Sequence, residues 1–217
     1  MNSNRRAFLK FGLAGAAVVG GLSQALKVSP HEFNERITRK LLGAGRLAPT
    51  FARDMAREPK ANGSVGLEEG IGDWFLKIEA PGVASRNMSI EEVKALPRVE
   101  MTTELMCVEG WSEVVYWSGT PLRNIAPPNA PEYVSLATPD DSYYVGLDLE
   151  SALHPQTLLA WEMNGEALTP EHGAPLRLVI PVKYGIKNIK RVGSIHFSPE
   201  RPKDYWAERG YDWYAGL

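Results

Sequence analysis

Glycine and proline break this chain at short intervals: 20 Gly and 16 Pro stand among 217 residues. Proline removes a backbone donor and clashes with the preceding helical turn, and glycine costs helix propensity. A helical bundle is therefore disfavoured, and short strands joined by turns are favoured. Hydrophobic residues at 44% and charged residues at 23% give an ordinary globular balance, which argues against wholesale disorder. The length fits one domain, or one domain with a targeting segment. A single cysteine excludes an internal disulfide framework and any multi-cysteine zinc or iron–sulfur site.

Residues 26–66 read as helical and irregular, with breaks at Gly43, Gly45, Pro49 and Pro59. A strand is expected at 74–79, ending in the turn pair Pro81-Gly82. Ser89, with Glu92 three residues on, makes a capping box for a short helix reaching Leu96. Further strands are expected at 99–108, 133–137, 143–147, 176–180 and 192–197. A helical turn at 149–153 is stopped by Pro155. The tail, 205–214, is aromatic and polar, and no internal repeat is visible. The expected fold class is α+β with a large β component and long functional loops.

The net charge of −2 makes no case for nucleic-acid binding, but it hides a pattern. Residues 1–60 carry 11 basic and 4 acidic side chains. Residues 61–171 carry 5 and 18, whereas residues 172–199 carry 5 basic and no acidic ones. A positive island in an acidic body suits an anionic ligand, and it equally suits a solvated basic face.

Arg5 and Arg6 precede an apolar stretch, 11–22, of about 12 residues. A bilayer-spanning helix needs roughly 20. A charged head, a short core and the small-x-small site Ser23-Gln24-Ala25 make an export signal. The paired arginines followed by Phe8-Leu9-Lys10 resemble a twin-arginine signal. That route carries folded proteins, often with a cofactor already inserted, so a periplasmic location is expected. The expected division is a signal at 1–25, an extension at 26–66 and the functional domain at 67–217.

Cys107 sits in Met106-Cys107-Val108-Glu109-Gly110-Trp111-Ser112, at a strand end. Three readings stand. It is a buried small hydrophobe, a nucleophile activated by His154 or His172, or a thiolate ligand to a metal already held by a cofactor. His31, His154, His172 and His196 show no tight metal spacing, so a metal here would have few protein ligands.

Cys107 to Ser112, followed by Trp117-Ser118-Gly119-Thr120-Pro121-Leu122, resembles the molybdenum-binding segment of the sulfite oxidase superfamily. The likeness continues through Ala152-Leu153-His154-Pro155-Gln156-Thr157-Leu158 and Met163-Asn164-Gly165-Glu166-Ala167-Leu168. It is strongest at His172-Gly173-Ala174-Pro175-Leu176-Arg177-Leu178 and at Lys183-Tyr184-Gly185-Ile186-Lys187-Asn188-Ile189-Lys190. It covers about residues 70–217, and it implies a single-domain, β-rich molybdopterin-binding fold.

In that family one cysteine ligates a molybdenum otherwise held by the dithiolene of a single molybdopterin. The resemblance therefore implies Cys107 as metal ligand and catalytic centre. It implies pterin or phosphate contacts from Arg177, His172 and the loop Lys187-Asn188-Ile189-Lys190. Thr138 matches a cofactor-contacting position in the related periplasmic sulfoxide reductases, and Asn62 is the candidate N-terminal pterin contact. Tyr143 falls where the family's sulfite oxidases carry a catalytic tyrosine. Glu109, so near a thiolate, is expected to point away.

The implied reaction passes one oxygen atom to or from a substrate lone pair. Sulfite is a dianion and needs cationic neighbours. Around Cys107 the sequence offers Glu104, Glu109 and Glu113, with no Arg nearer than Arg98 or Arg123. Reduction of an S-oxide or N-oxide, small or protein-bound, is therefore expected over sulfite oxidation. The remaining alternative is a cofactor-free secreted binding domain that kept the fold. No heme, flavin or nicotinamide motif is present, so a separate redox partner is expected, of the membrane heme b type in the related reductases. The chain itself is expected to be a monomer.

Overall fold

The computed structural model describes residues 29–43, 45–68, 70 and 72–217; the expected export signal lies outside them. Among the described residues ten strands form two sheets. The first contains β1 (Leu76–Ala80), β2 (Val83–Met88), β5 (Tyr133–Ala137), β6 (Tyr144–Asp148) and β10 (Ser194–Ser198), in the order β2-β1-β10-β5-β6. β1 and β10 run parallel, Lys77 opposite Ser194, and the other pairs are antiparallel. The second has β3 (Val99–Met106), β4 (Ser112–Pro121), β7 (Leu158–Met163) and β8 (Glu166–Ala167) in that order. A further strand, β9 (Arg177–Val179), pairs with β7. Three short helices complete the set: α1 (Pro30–Gly43), α2 (Ile90–Lys94) and α3 (Leu149–Ala152).

Alternation explains the cleanest strand. In β5, Val134 and Leu136 are fully buried while their neighbours are half-buried, the period of two that the sequence shows. The Ser89 capping box forms as expected, with Ser89 Oγ accepting from Glu92 N–H and Glu92 Oε2 from Ser89 N–H. Four strands, β2, β4, β7 and the two-residue β8, are absent from the sequence expectation. β4 and β7 are buried on nearly every residue, so they lack alternation, and a continuous apolar run cannot be told from a helix by period. Gly119 in β4 shows what its place demands: a Cβ there would lie 2.2 Å from the Leu159 carbonyl oxygen. β2 fails for the opposite reason, with five of its six residues exposed and no apolar pattern to read.

The larger core gathers Leu76, Leu136, Leu147, Leu178 and Phe197, each essentially inaccessible. Each is worth roughly 1.5–3 kcal/mol of burial. A second cluster under β4 and β7 contains Val115, Trp117, Leu158 and Ala160. Residues ahead of the first sheet are stitched to the second. Phe51 N–H donates to the Thr102 carbonyl at 3.0 Å, and Arg57 N–H to the Val114 carbonyl at 2.8 Å. The chain from Glu58 onward then forms a strap along a cavity.

Candidate active site

Cys107 follows β3 at the turn into β4. Its N–H donates to the Trp111 carbonyl at 2.9 Å, and its carbonyl accepts from Gly110 N–H at 3.1 Å. The thiol is half-buried and lines a cavity of about 440 Å³. The strap (Pro59, Lys60, Asn62 to Val65), the loop Gly185 to Lys190 and the aromatic tail (Tyr205, Trp206, Tyr211) wall this space, together with Tyr143, His172 and Arg177.

Seven of the other sequence-identified residues converge on the same cavity: Asn62, Tyr143, His172, Arg177, Asn188, Ile189 and Lys190. Arg177 comes from β9 and is buried over the Trp117 ring, 4.9 Å from its centroid. Its two terminal nitrogens donate to the carbonyls of His172 (3.0 Å) and Asn188 (3.4 Å). Its Nε has no partner, and burial alone pushes its pKa down to about 10. Lys190 Nζ donates to the Asn62 carbonyl at 2.7 Å and the Gly63 carbonyl at 3.2 Å. Burial and the nearby Arg177 lower its pKa to about 8. His172 is buried, and desolvation, Arg177 and Lys190 hold its pKa below the ordinary value, so it stays neutral at pH 7. Its Nε2 stands 3.4 Å from Glu58 on the strap.

The His172 turn owes its shape to Gly173, which takes a left-handed conformation at φ 97°. A Cβ there would meet the Lys190 backbone at 2.8 Å, so two cofactor-candidate segments touch through this glycine. Asn188 contributes through its main chain, because its side chain is committed. Oδ1 accepts from Ile180 N–H at 2.8 Å and Nδ2 donates to the Tyr184 carbonyl at 3.2 Å.

Thr138 does not line this cavity. Its hydroxyl donates to Asp140 at 2.6 Å and accepts from Tyr143 N–H at 3.1 Å, so it fixes the loop that carries Tyr143. The Tyr143 hydroxyl in turn donates to the Ile186 carbonyl at 2.7 Å. Burial and Asp204 raise this phenol above its ordinary value, so it stays protonated. Glu109 corrects the expectation that it points away. It lines the cavity, and its Oε2 accepts from Trp111 Nε1 (3.0 Å) and Asn62 Nδ2 (3.2 Å). Asn62 Nδ2 also lies 3.6 Å from the Cys107 sulfur.

The basic island divides. Lys187 does not face the cavity: it is wholly buried, with Nζ 2.5 Å from Asp204 and 3.0 Å from the Gly146 carbonyl. Lys183 is also buried, 3.7 Å from Asp148 and over the Tyr214 ring, and burial lowers its pKa to about 7. A five-cation stretch thus supplies two cavity cations and two core ones; Arg191, buried, donates from Nε to the Ala174 carbonyl. His154 is also structural, with Nε2 2.9 Å from the Arg46 carbonyl and Nδ1 accepting from Gln156 N–H. The thiol's hydrogen-bond partner is Asn62 rather than an imidazole, which leaves a Cys–His hydrolase without its base.

A buried guanidinium with an open N–H and no paired carboxylate is costly unless an anion meets it. Arg177 and Lys190 therefore fit the phosphate of a molybdopterin, and a thiol on the same cavity fits a soft or high-valent metal. Among the described residues no group of three His, Cys, Asp or Glu could hold a metal by itself. The metal would have to arrive with its own ligands.

The oxidoreductase molybdopterin-binding domain family matches residues 63–206. The putative protein-methionine-sulfoxide reductase subunit YedZ1 of Azospira oryzae is 31% identical, over 98% of this chain and 87% of that protein. The protein-methionine-sulfoxide reductase catalytic subunit MsrP of Campylobacter jejuni is 32% identical, over 98% of this chain and 80% of its own. Among solved structures, the sulfane dehydrogenase SoxCD of Paracoccus pantotrophus shares the fold, at a TM-score of 0.57 and 21% identity, over 71% of this chain and 45% of that one. The thiol, Arg177, Lys190 and the β-rich frame thus sit in a member of the oxidoreductase molybdopterin-binding domain family, an oxidoreductase whose cofactor is molybdenum–molybdopterin.

Proposed function

We propose that this chain is an exported oxidoreductase that reduces S-oxides, with peptide-bound methionine sulfoxide as the substrate class to test first. The observation that carries this reading is the cavity itself: one thiol, the buried Arg177 and half-buried Lys190 set apart for a phosphate, one exposed lysine (Lys60) and one carboxylate (Glu109), and otherwise neutral and aromatic walls. Arg98 is taken up by Glu100 and Glu162, and Arg123 reaches the Pro155 carbonyl; neither lines the cavity. Sulfite would enter with Glu109 beside it, and the cation left to offset its charge is the exposed Lys60, whose field water screens. A neutral sulfoxide meets no such penalty. The names borne by the relatives support the same direction.

Cys107 would hold the metal, and Arg177 and Lys190 the phosphate. When bound, the cofactor supplies two-electron oxygen-atom transfer. His172, kept neutral, offers the pterin a hydrogen-bonding edge rather than a charge. Tyr143, in the cavity wall, holds its proton on the Ile186 carbonyl. Electrons would come from a separate protein, a membrane heme b partner on the other side of the redox couple. The twin-arginine-like segment supports export to the periplasm in folded form.

The test compares kcat/KM for sulfite with ferricyanide against that for methionine sulfoxide or trimethylamine oxide with reduced viologen. Faster oxide reduction is expected. Brisk sulfite oxidation with no oxide reduction would overturn the reading. Cys107→Ser is expected to abolish turnover and loosen molybdenum while circular dichroism stays unchanged. Full activity in that variant would remove the central role of the thiol.

A further inference from the structure

Asp204 is nearly inaccessible, and its two carboxylate oxygens serve two different parts of the cavity wall. Oδ2 faces the body. It accepts from Lys187 Nζ at 2.5 Å, in the loop that carries Asn188 to Lys190, and from Gly146 N–H at 3.1 Å on β6. Oδ1 faces the tail. It accepts from Trp206 N–H at 3.1 Å and Ala207 N–H at 3.0 Å. The turn so capped presents three rings to the cavity, Tyr205, Trp206 and Tyr211. They pack edge to face in series, Tyr205 on Trp206 at 5.3 Å and Trp206 on Tyr211 at 5.1 Å. Tyr205 also lies 5.0 Å from Tyr143, and the Arg209 guanidinium covers it at 3.5 Å. Rings braced in this way offer an apolar face of fixed orientation at low entropic cost.

We propose that Tyr205, Trp206 and Tyr211 form the substrate-selecting wall, taking the apolar substituents of the sulfoxide, and that Asp204 with Lys187 is the joint setting that wall's distance from the cofactor loop. The inference rests on the S-oxide reading given above and deepens it. A sulfoxide bearing an alkyl chain and a peptide gains from such a wall, whereas dimethyl sulfoxide is too small to use more than one ring. Asp204 is a positioning residue, since it acts through the rings and touches no substrate. Its two oxygens make it separable from the cofactor site. In Asp204→Asn the remaining oxygen can still cap the turn, while the amide NH2 faces two donors, Lys187 Nζ and Gly146 N–H.

The experiment uses holoenzyme carrying its molybdopterin. Binding of N-acetylmethionine sulfoxide methyl amide and of dimethyl sulfoxide is measured by calorimetry on oxidised protein, and KM and kcat are measured separately with reduced viologen. Trp206→Ala and Tyr211→Ala are expected to weaken binding of the methionine derivative about tenfold each, the worth of one well-placed ring. KM should rise with kcat held within about twofold, a loss of uniform binding. Dimethyl sulfoxide should change less than about twofold, and molybdenum and pterin content not at all. Asp204→Asn should reproduce the same split. Lys187→Met in the Asp204→Asn background removes the stranded ammonium and should recover folding yield without recovering affinity. Unchanged affinity in both ring variants, or loss of pterin before loss of affinity in Asp204→Asn, would overturn the proposal. Binding by the parent protein without turnover would sink the S-oxide reading and leave the wall assignment standing; absence of both would sink the two together.

Discussion

Lys183, Lys187 and Lys190 lie within eight positions of one another, yet they do three different jobs. The sequence shows the charge but not the direction of the side chain, since a loop has no periodicity to orient it. Arg177 was legible because it lies in a run resembling a known motif; Lys187 was misread because the same run includes it. Glu109 was misread on electrostatics alone, since the Trp111 and Asn62 donors that hold it inward are visible only in three dimensions. Two outcomes follow at this scale. Lys187→Met should strand the buried Asp204 carboxylate and cost about 3–5 kcal/mol, measured by urea unfolding. Lys190 gives a pH dependence. Its pKa, lowered to about 8, means it is charged below that value and neutral above it in cofactor-free protein. Pterin retained on dialysis should therefore fall as pH rises through 8, and Lys190→Gln should flatten the curve. Stability of the cofactor-free fold has the opposite sign. The unfolded chain binds more protons from about pH 8 to its ordinary value, so the fold gains stability as pH rises across that window. A retention curve of equal slope in both proteins would assign the titration to another group.

At the scale of elements, the alternating β5 and the short buried runs of β6 and β9 are readable, whereas the longer buried strands β4 and β7 are not. β5 came out with its boundaries because Val134 and Leu136 alternate with half-buried neighbours. β4 carries the Cys107 turn at one end and Gly119 at the other, yet its run of consecutive buried residues has no period to reveal it. The strap is a different case. Its upstream anchor is Arg57 on Val114, and downstream Gly66 backs onto Thr138. Between them its main-chain carbonyls at Asn62 and Gly63 are held by Lys190. Segments with few backbone hydrogen bonds open at low free energy. A charged hydrogen bond is worth roughly 1.5–3 kcal/mol, which corresponds to about tenfold to a hundredfold in an opening equilibrium. Lys190→Ala should therefore speed amide exchange in residues 60–66 of cofactor-free protein by that factor, while β4 and β7 stay protected. Hydrogen-exchange mass spectrometry reads this directly. Equal strap exchange in both proteins would mean that Lys190 does not hold it.

The whole molecule joins two sheets around a cavity whose walls come from six separate parts of the chain: the strap, the Cys107 turn, the Tyr143 loop, the segment from His172 to Arg177, the 185–190 loop and the tail. Such a site is incomplete until the fold is complete, and the fold buries a guanidinium whose Nε has no protein partner. The resemblance read from about residue 70 to the end overlaps most of the family span of 63–206, because motifs at ordered spacing record this convergence even where individual strands do not. Cofactor and fold should then be thermodynamically linked. A ligand that binds only the native state stabilises it by about 2.7 kcal/mol at a hundredfold excess over Kd. For a chain of this size each kcal/mol shifts Tm by about 2–4 °C. Protein purified from cells that make molybdopterin should therefore melt about 5–11 °C above the same protein from cells that do not. Arg177→Ala removes a charge-assisted contact worth about 1.5–3 kcal/mol, so the gap should shrink by at least half. Lys183→Met, which lies outside the cavity, should lower both melting points and leave the gap intact. Differential scanning calorimetry on the four proteins, with pterin content measured in parallel, separates these cases. A gap that Arg177→Ala leaves unchanged would mean that the buried guanidinium does not meet the cofactor.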